Sequence, residues 1–181
     1  MSIEAPPKGP APFAAGYVTN TIDVEEERAE VAGKLGLRYF ATLIVLALAY
    51  TIAAMFGLRM DAVAGFATLV WPPTGIALAA LVCWGYGYWP AVFVGAFVVN
   101  WWTGAPVLVA LGIAVGNTLE SVVATYALRR IPGFSPSLAR VRDVLGLIVL
   151  PAGLCTAISA TIGVSSLRIG GQLSAAETAN A

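Results

Sequence analysis

Residues 71–120 read WPPTGIALAALVCWGYGYWPAVFVGAFVVNWWTGAPVLVALGIAVGNTLE. The stretch is almost wholly apolar. It is punctuated by a Trp-Pro-Pro-Thr-Gly break at Trp71–Gly75, by a Tyr-Trp-Pro break at Tyr88–Pro90, and by one lone acid, Glu120. A water-soluble core has no need of so much unbroken apolar sequence, and a simple membrane anchor has no need of the breaks. The reading that satisfies both is the interior of a polytopic membrane module.

The rest of the 181-residue chain agrees. It is 59% hydrophobic and only 11% charged, with a mean hydropathy of +0.82. Soluble domains average about 25% charged residues, so the composition points to lipid. Ten basic and ten acidic residues cancel, which leaves no cationic excess to suggest nucleic acid. There is no histidine. That excludes imidazole haem ligation, histidine zinc sites, Ser-His-Asp chemistry and a phosphoacceptor histidine. No P-loop, GxSxG or HExxH occurs, and no GxGxxG follows a strand, so no catalytic residue, metal site or cofactor is expected. Cys83 and Cys155 lie 72 positions apart in apolar runs without a CxxC partner, and both read as buried small hydrophobes.

Outward from the quoted stretch, the expected fold class is all-α: a transmembrane helix bundle of about five spans, with short proline-broken helices. Residues Met1–Pro12 read as a disordered tail with no apolar leader segment. Asp23–Lys34 reads as an acidic juxtamembrane helix, with Thr21 or Asp23 as candidate N-cap. Domain boundaries are placed at 1–37 for this cytoplasmic region, 38–169 for the membrane domain and 170–181 for a flexible tail. Tyr39–Leu58 is twenty uncharged residues, about 30 Å of helix, and matches the hydrocarbon thickness.

Proline is costly inside a helix and welcome in its first turn. A helix is therefore expected from about Pro72 to Trp84, after a short interfacial or re-entrant piece before Trp71. Gly85–Tyr88 is a turn flanked by interfacial Trp84 and Trp89. Trp89–Thr103, Pro106–Leu128 and Val144–Leu167, the last with Pro151 inside, are the third to fifth spans. Lys34, Arg38 and the four arginines of Arg129–Arg142 belong on the cytoplasmic side. Four spans between those two regions satisfy that placement with the N-terminus inside, and a fifth leaves the C-terminus outside. Arg168 on the outer side is a mild exception.

Glu120 is the only acid or base deep within a span. A mid-bilayer carboxylate is expensive, so it should face the bundle interior and have a partner or a role. At helical spacing Gly112, Gly116, Asn117, Glu120 and Ala124 share one face, with Gly112 and Gly116 as a GxxxG close-approach pair. The fifth span carries Ala152, Cys155, Thr156, Ser159, Gly163 and Ser166 on one stripe, and the third carries Ala96, Asn100 and Thr103. If these faces meet, Glu120 is hydrogen-bonded by Asn100, Asn117, Thr156 or Ser159. Three roles stand open for it: structural hydrogen bonding, a ligand- or signal-sensing pocket, and a proton or ion relay. Trp71, Pro72, Pro73 and Thr74 are either a broken helix exposing backbone to a ligand or a helix start at the interface. Gly112, Gly116 and Gly163 are candidates for helix packing.

Several motifs carry a family resemblance. WPPTGIALAALVCWGYGYWPAVFVGAF, then NWWTG, LGIAVGNTLES, LARVRDV and AISATIGVSSL occur in this order from about Tyr39 to Gly171. Together they resemble the type-one membrane-associated sensor (MASE) domain of bacteria. The matching positions are Trp71, Pro72, Gly75, Trp89, Pro90, Gly95, Asn100, Gly104, Gly116, Asn117, Glu120 and Gly163. The resemblance implies an all-helical membrane bundle placed ahead of histidine-kinase, diguanylate-cyclase (GGDEF) or phosphodiesterase (EAL) modules, passing them a signal. It implies a multi-pass protein of the bacterial inner membrane whose partners are the lipid bilayer, signalling proteins or further copies of itself, with an unidentified small-molecule or membrane signal and no nucleic acid. Family arrays usually carry further spans and an output domain, so the chain reads as a partial sensor module. The Gly85–Tyr88 turn departs from the family, which often has basic residues there. A different class remains as the alternative: a small transporter or channel subunit that uses Glu120 as its relay.

Overall fold

The computed structural model describes residues 14–59 and 71–172, with side chains for Arg28 and from Val31 onward. All regular structure among them is helical: α1 (Ala14–Arg59), α2 (Pro72–Trp84), α3 (Trp89–Trp102), α4 (Val107–Arg129) and α5 (Val141–Ile169). The chain divides into two compact units, Met1–Ala41 and Thr42–Ala181. Helices α2 to α5 and the apolar part of α1 from Thr42 belong to the second unit.

Three helical stretches are long and apolar enough to cross a bilayer: Val31–Arg59, Val107–Arg129 and Val141–Ile169. Helices α2 and α3, of 13 and 14 residues, reach only about 20 Å each at 1.5 Å per residue. The expected helix order therefore holds, with two short members between long ones. The N-cap expectation does not hold. Thr21 and Asp23 lie within α1, which begins at Ala14 and runs unbroken into the first apolar span. Apolar packing downstream and good helix formers upstream favour propagation once a helix exists, so no cap is needed at that point. The expected tail Met1–Pro12, the piece expected before Trp71 and most of the C-terminal tail lie outside the described residues.

Helix α2 starts as its sequence requires. Pro72 and Pro73 occupy its first two positions, and the Thr74 amide donates to the Trp71 carbonyl at 3.2 Å. Gly85 ends it with φ = 104°, a conformation that strains residues with a Cβ. A short 3₁₀ turn, Tyr86–Tyr88, leads directly into α3. Gly104, at φ = 98°, plays the same part between α3 and α4.

Helix α4 is central: it packs along both α3 and α5 and also touches α2. An apolar cluster joins Leu46, Tyr50 and Ala54 of α1 to Ala77 and Leu81 of α2 and to Ala91, Val92, Ala96 and Val99 of α3. The closest approach in it is at Gly95, where a Cβ would lie 2.9 Å from the Tyr50 ring and 3.1 Å from the Ala47 carbonyl oxygen. A second cluster, of Leu78, Ala124, Leu128 and Cys155, ties α2 and α4 to α5. The outward faces, including Ile44, Leu48, Ile52 and Phe56 of α1 and Val149 and Leu154 of α5, are apolar and exposed, as suits a lipid surface. Cys83 is exposed on α2, not buried as expected, because it projects from the side opposite the buried Ala77 and Leu81. Cys155 is buried.

The Gly85–Tyr88 turn and the basic 129–142 loop lie at one end of the unit. Arg129 reaches across and donates to the Leu81 and Val82 carbonyls at 3.2 and 3.1 Å, the first of which also accepts the Gly85 amide that ends α2. Its guanidinium also sits 5.0 Å from the Tyr86 ring centroid.

Candidate functional site

The site is built where α4 meets α5. Two glycines let the helices approach. A Cβ on Gly116 would sit 3.2 Å from the Ser159 carbonyl oxygen and 3.3 Å from Ile162, and one on Gly112 would overlap the Ser166 side chain. Without a hydrophobic driving force between helices in lipid, such close backbone contact is what holds them. Gly163, on the same stripe of α5, has nothing within 4 Å of a Cβ, so no close approach depends on it.

Close approach brings polar side chains together. Glu120 is 4% exposed. Thr156 Oγ1 lies 2.8 Å from Glu120 Oε1, and Ser159 lies nearby on the same face of α5. Ser159 Oγ donates to Asn117 Oδ1 at 2.9 Å. The Asn117 amide in turn donates to the Tyr50 hydroxyl at 3.1 Å, and the Trp71 side chain neighbours the same hydroxyl. A polar chain therefore runs from the start of α2 through α1 and α4 to α5. The other buried hydroxyl residues of α4, Thr118, Ser121 and Thr125, donate instead to main-chain carbonyls four residues back.

The backbone facing Glu120 is irregular. Residues Ile148–Cys155 of α5 wind as a π-helix around Pro151. Proline has no amide hydrogen, and its ring clashes with the carbonyl four residues earlier, so the usual ladder breaks there. Thr156 closes the wide turn twice. Its amide donates to the Pro151 carbonyl five residues back, and its hydroxyl lies 3.0 Å from the same oxygen. The residue that ends the π-turn is thus the residue that meets Glu120, and π-turns occur frequently at functional sites.

Of the residues singled out from the sequence, Asn117, Glu120, Thr156 and Ser159 come together. Asn100 does not join them: its side-chain amide donates to the Ala96 carbonyl at 2.8 Å within α3. Thr103 likewise bonds back to Val99 and Asn100. Both side chains bond back to main-chain carbonyls three or four residues earlier, a local bond that competes with partners on other helices. Trp71, Pro72, Pro73 and Thr74 form a helix start packed on α1. Gly57 lies beneath it, with room for a Cβ 3.4 Å from both the Trp71 ring and Pro72.

Two residues escaped sequence reasoning. Tyr50 reads as one more aromatic in an apolar run, and only its position opposite Asn117 makes it a partner. Asp143, the third residue of α5, is fully buried. Neither of its carboxylate oxygens has a hydrogen-bond partner among the described residues, and Arg142 Nε lies 3.8 Å away. An acid in a first helical turn is stabilised by the helix dipole, a signal present in the sequence. Close to the basic loop lies a concavity of about 290 Å³, lined by Val82, Arg129, Ile131, Gly133, Phe134 and Pro136.

Comparison with known proteins agrees with this architecture. The family MASE1 matches residues 42–180, more than two-thirds of the chain. The chain belongs to that family of membrane-associated sensor domains, and it is a membrane protein with the features of a sensory input domain. No curated protein and no solved structure matches it.

Proposed function

We propose that the chain is the input part of a bacterial signal-transduction system in the inner membrane. It crosses the membrane several times with its N-terminus in the cytoplasm, and it acts on a histidine-kinase or cyclic-di-GMP output through partner proteins or further copies of itself. The observation that carries this reading is the Glu120–Thr156 contact at the edge of a π-helical turn. It is a polar contact between two membrane-length helices whose backbone register is already relaxed. A stimulus that alters this contact changes how α4 and α5 pack, and a two-state rearrangement of that kind is what a sensor passes on. The shared end of the Gly85–Tyr88 turn and the basic loop supports the cytoplasmic assignment of both.

The test is made in the native host. Deleting the gene, and separately replacing Glu120→Gln or Thr156→Val, should shift kinase-dependent transcription or the cellular cyclic-di-GMP level in response to a change of medium. Unchanged output in the deletion strain would overturn the reading. A transporter is favoured by one feature, the buried Glu120. Solute or proton flux in proteoliposomes that disappears in Glu120→Gln would establish it in place of the sensor.

A further inference from the structure

The basic loop gathers more positive charge than its surroundings balance. Residues 129–143 hold Arg129, Arg130, Arg140 and Arg142 against one acid, Asp143. Three of the four arginines converge on one place. A Cβ on Gly133 would lie 3.4 Å from Arg140 Nη1 and 3.4 Å from Arg142 Nη2, so these two guanidinium groups are close neighbours. Arg140 Nη1 also donates to the Gly133 carbonyl at 3.2 Å. Gly133 and Arg129 line the same concavity of about 290 Å³. Arg130 is held elsewhere, over the Tyr126 ring at 4.8 Å from its centroid. Among the described residues the acid at this place is Asp143, whose Oδ1 lies 3.8 Å from Arg142 Nε. It balances one of the three charges. Arg129 makes both of its bonds to α2 through Nη2, which leaves Nε and Nη1 as donors.

Guanidinium groups drawn together repel unless an anion joins them, and a phosphate matches their paired donors. The surroundings select the kind of anion. Val82, Ile131 and Phe134 give the concavity apolar walls. Val141 stands between Arg140 and Arg142 in the chain, and with Leu145 and Ile148, at helical spacing, it forms an exposed apolar strip on α5. A soluble anion uses the charges and leaves the strip bare, whereas an amphiphile uses both. Basic pockets at the ends of membrane helices hold lipid headgroups in this way. The volume is at the small end of ligand clefts, which start at about 300 Å³, and suits a phosphodiester with a short headgroup. We propose that Arg129, Arg140 and Arg142 form a headgroup site for an anionic phospholipid. Its phosphodiester sits at Gly133, and an acyl chain follows Val141, Leu145 and Ile148. The lipid ties the ends of α2 and α4, through Arg129, to the start of α5, through Arg140 and Arg142. The site does not rest on the sensory reading, because lipid binding is measured without any signalling output.

The test uses the whole chain in phosphatidylcholine nanodiscs doped with increasing phosphatidylglycerol, at fixed pH and ionic strength. Native mass spectrometry counts the lipids that the released protein retains, and the thermal midpoint is followed in parallel, since a ligand held by the folded state stabilises it. Saturable retention of one phosphatidylglycerol, with a matching rise in midpoint, is expected for the wild type. Arg140→Gln should need about tenfold more phosphatidylglycerol for half-saturation, as for loss of one hydrogen bond to a charged group. Arg129→Gln should do the same. Arg130→Gln removes the same charge from the same loop but not from the concavity, and it should leave retention unchanged. An equal loss in Arg130→Gln would overturn the proposal and show diffuse attraction to an anionic surface. Equal retention of phosphatidylcholine would overturn it too. Displacement of the lipid by millimolar inorganic phosphate or glycerol phosphate would assign the arginines to a soluble anion instead.

Discussion

The contact between α1 and α3 and the contact between α4 and α5 both rest on glycine, but they differ in what the glycine admits. At Gly95 the space is filled by the Tyr50 ring and the Ala47 carbonyl, with Leu46, Val92, Ala96 and Val99 around them. At Gly112 and Gly116 it is filled by Ser166 and by the Ser159 backbone, beside Asn117, Glu120 and Thr156. The first is a packed apolar joint, crossed by a long polar contact from Thr51 Oγ1 to the Gly95 carbonyl at 3.5 Å. The second is a hydrogen-bonded joint against a relaxed backbone. In lipid the apolar joint is held by van der Waals fit and has one good arrangement. The polar joint exchanges partners at small cost, because its donors and acceptors have alternatives within reach. The difference separates a joint that holds the unit from one able to change.

That comparison can be broken in order of expected effect. Gly95→Leu should be the most damaging change, destabilising by about 3 kcal/mol through overpacking against backbone. Loss of the thermal transition or of membrane accumulation would show it, and a stable, monodisperse Gly95→Leu protein would refute the rigid-joint reading. Gly116→Val should cost about 2 kcal/mol, less because a relaxed α5 can move away. A cost equal to that at Gly95 would erase the distinction. Arg129→Ala removes the donors that cover the Leu81 and Val82 carbonyls and should cost about 1 kcal/mol. Faster hydrogen exchange confined to the end of α2 would localise the effect. The smallest quantity is the coupling of Asn117 and Ser159 in a double-mutant cycle with alanine, about 0.6 kcal/mol as for other interhelical hydrogen bonds in membranes. Additive single effects would mean that the 2.9 Å contact carries no energy of its own.

A reporter sharpens the placement of both joints. A cytoplasm-dependent fusion within residues 131–142 should be active, and a fusion within Gly85–Tyr88 should match it, since Arg129 binds the two regions to one end of the unit. Opposite activities would break that correspondence.

Much of the helix order was legible because lipid leaves few options. Long uncharged runs must be helical so that every backbone group is satisfied internally, and the proline and glycine punctuation marks where they start and stop. The α4–α5 meeting was legible from Gly112, Gly116 and the matching small stripe. Asn100 shows where such reasoning stops. Its type and spacing suited Glu120 equally well, but its side chain bonds back to the Ala96 carbonyl of its own helix. Tyr50 shows the converse, a residue with no local signature that acquires a partner 67 positions away.

By itself, then, the sequence determined that this is a helical membrane protein, which helices are short, and that one acid must be accommodated in the interior. Composition, length and proline placement are local properties, and lipid penalises every alternative to them. Only the tertiary structure decided that Glu120 meets Thr156 at the mouth of a π-turn, that Asn117 is shared between Tyr50 and Ser159, and that Asp143 is buried without a hydrogen-bond partner among the described residues. Those outcomes depend on the rotation and approach of one helix against another. Close packing sets that geometry to fractions of an ångström, and no spacing along a single helix encodes it.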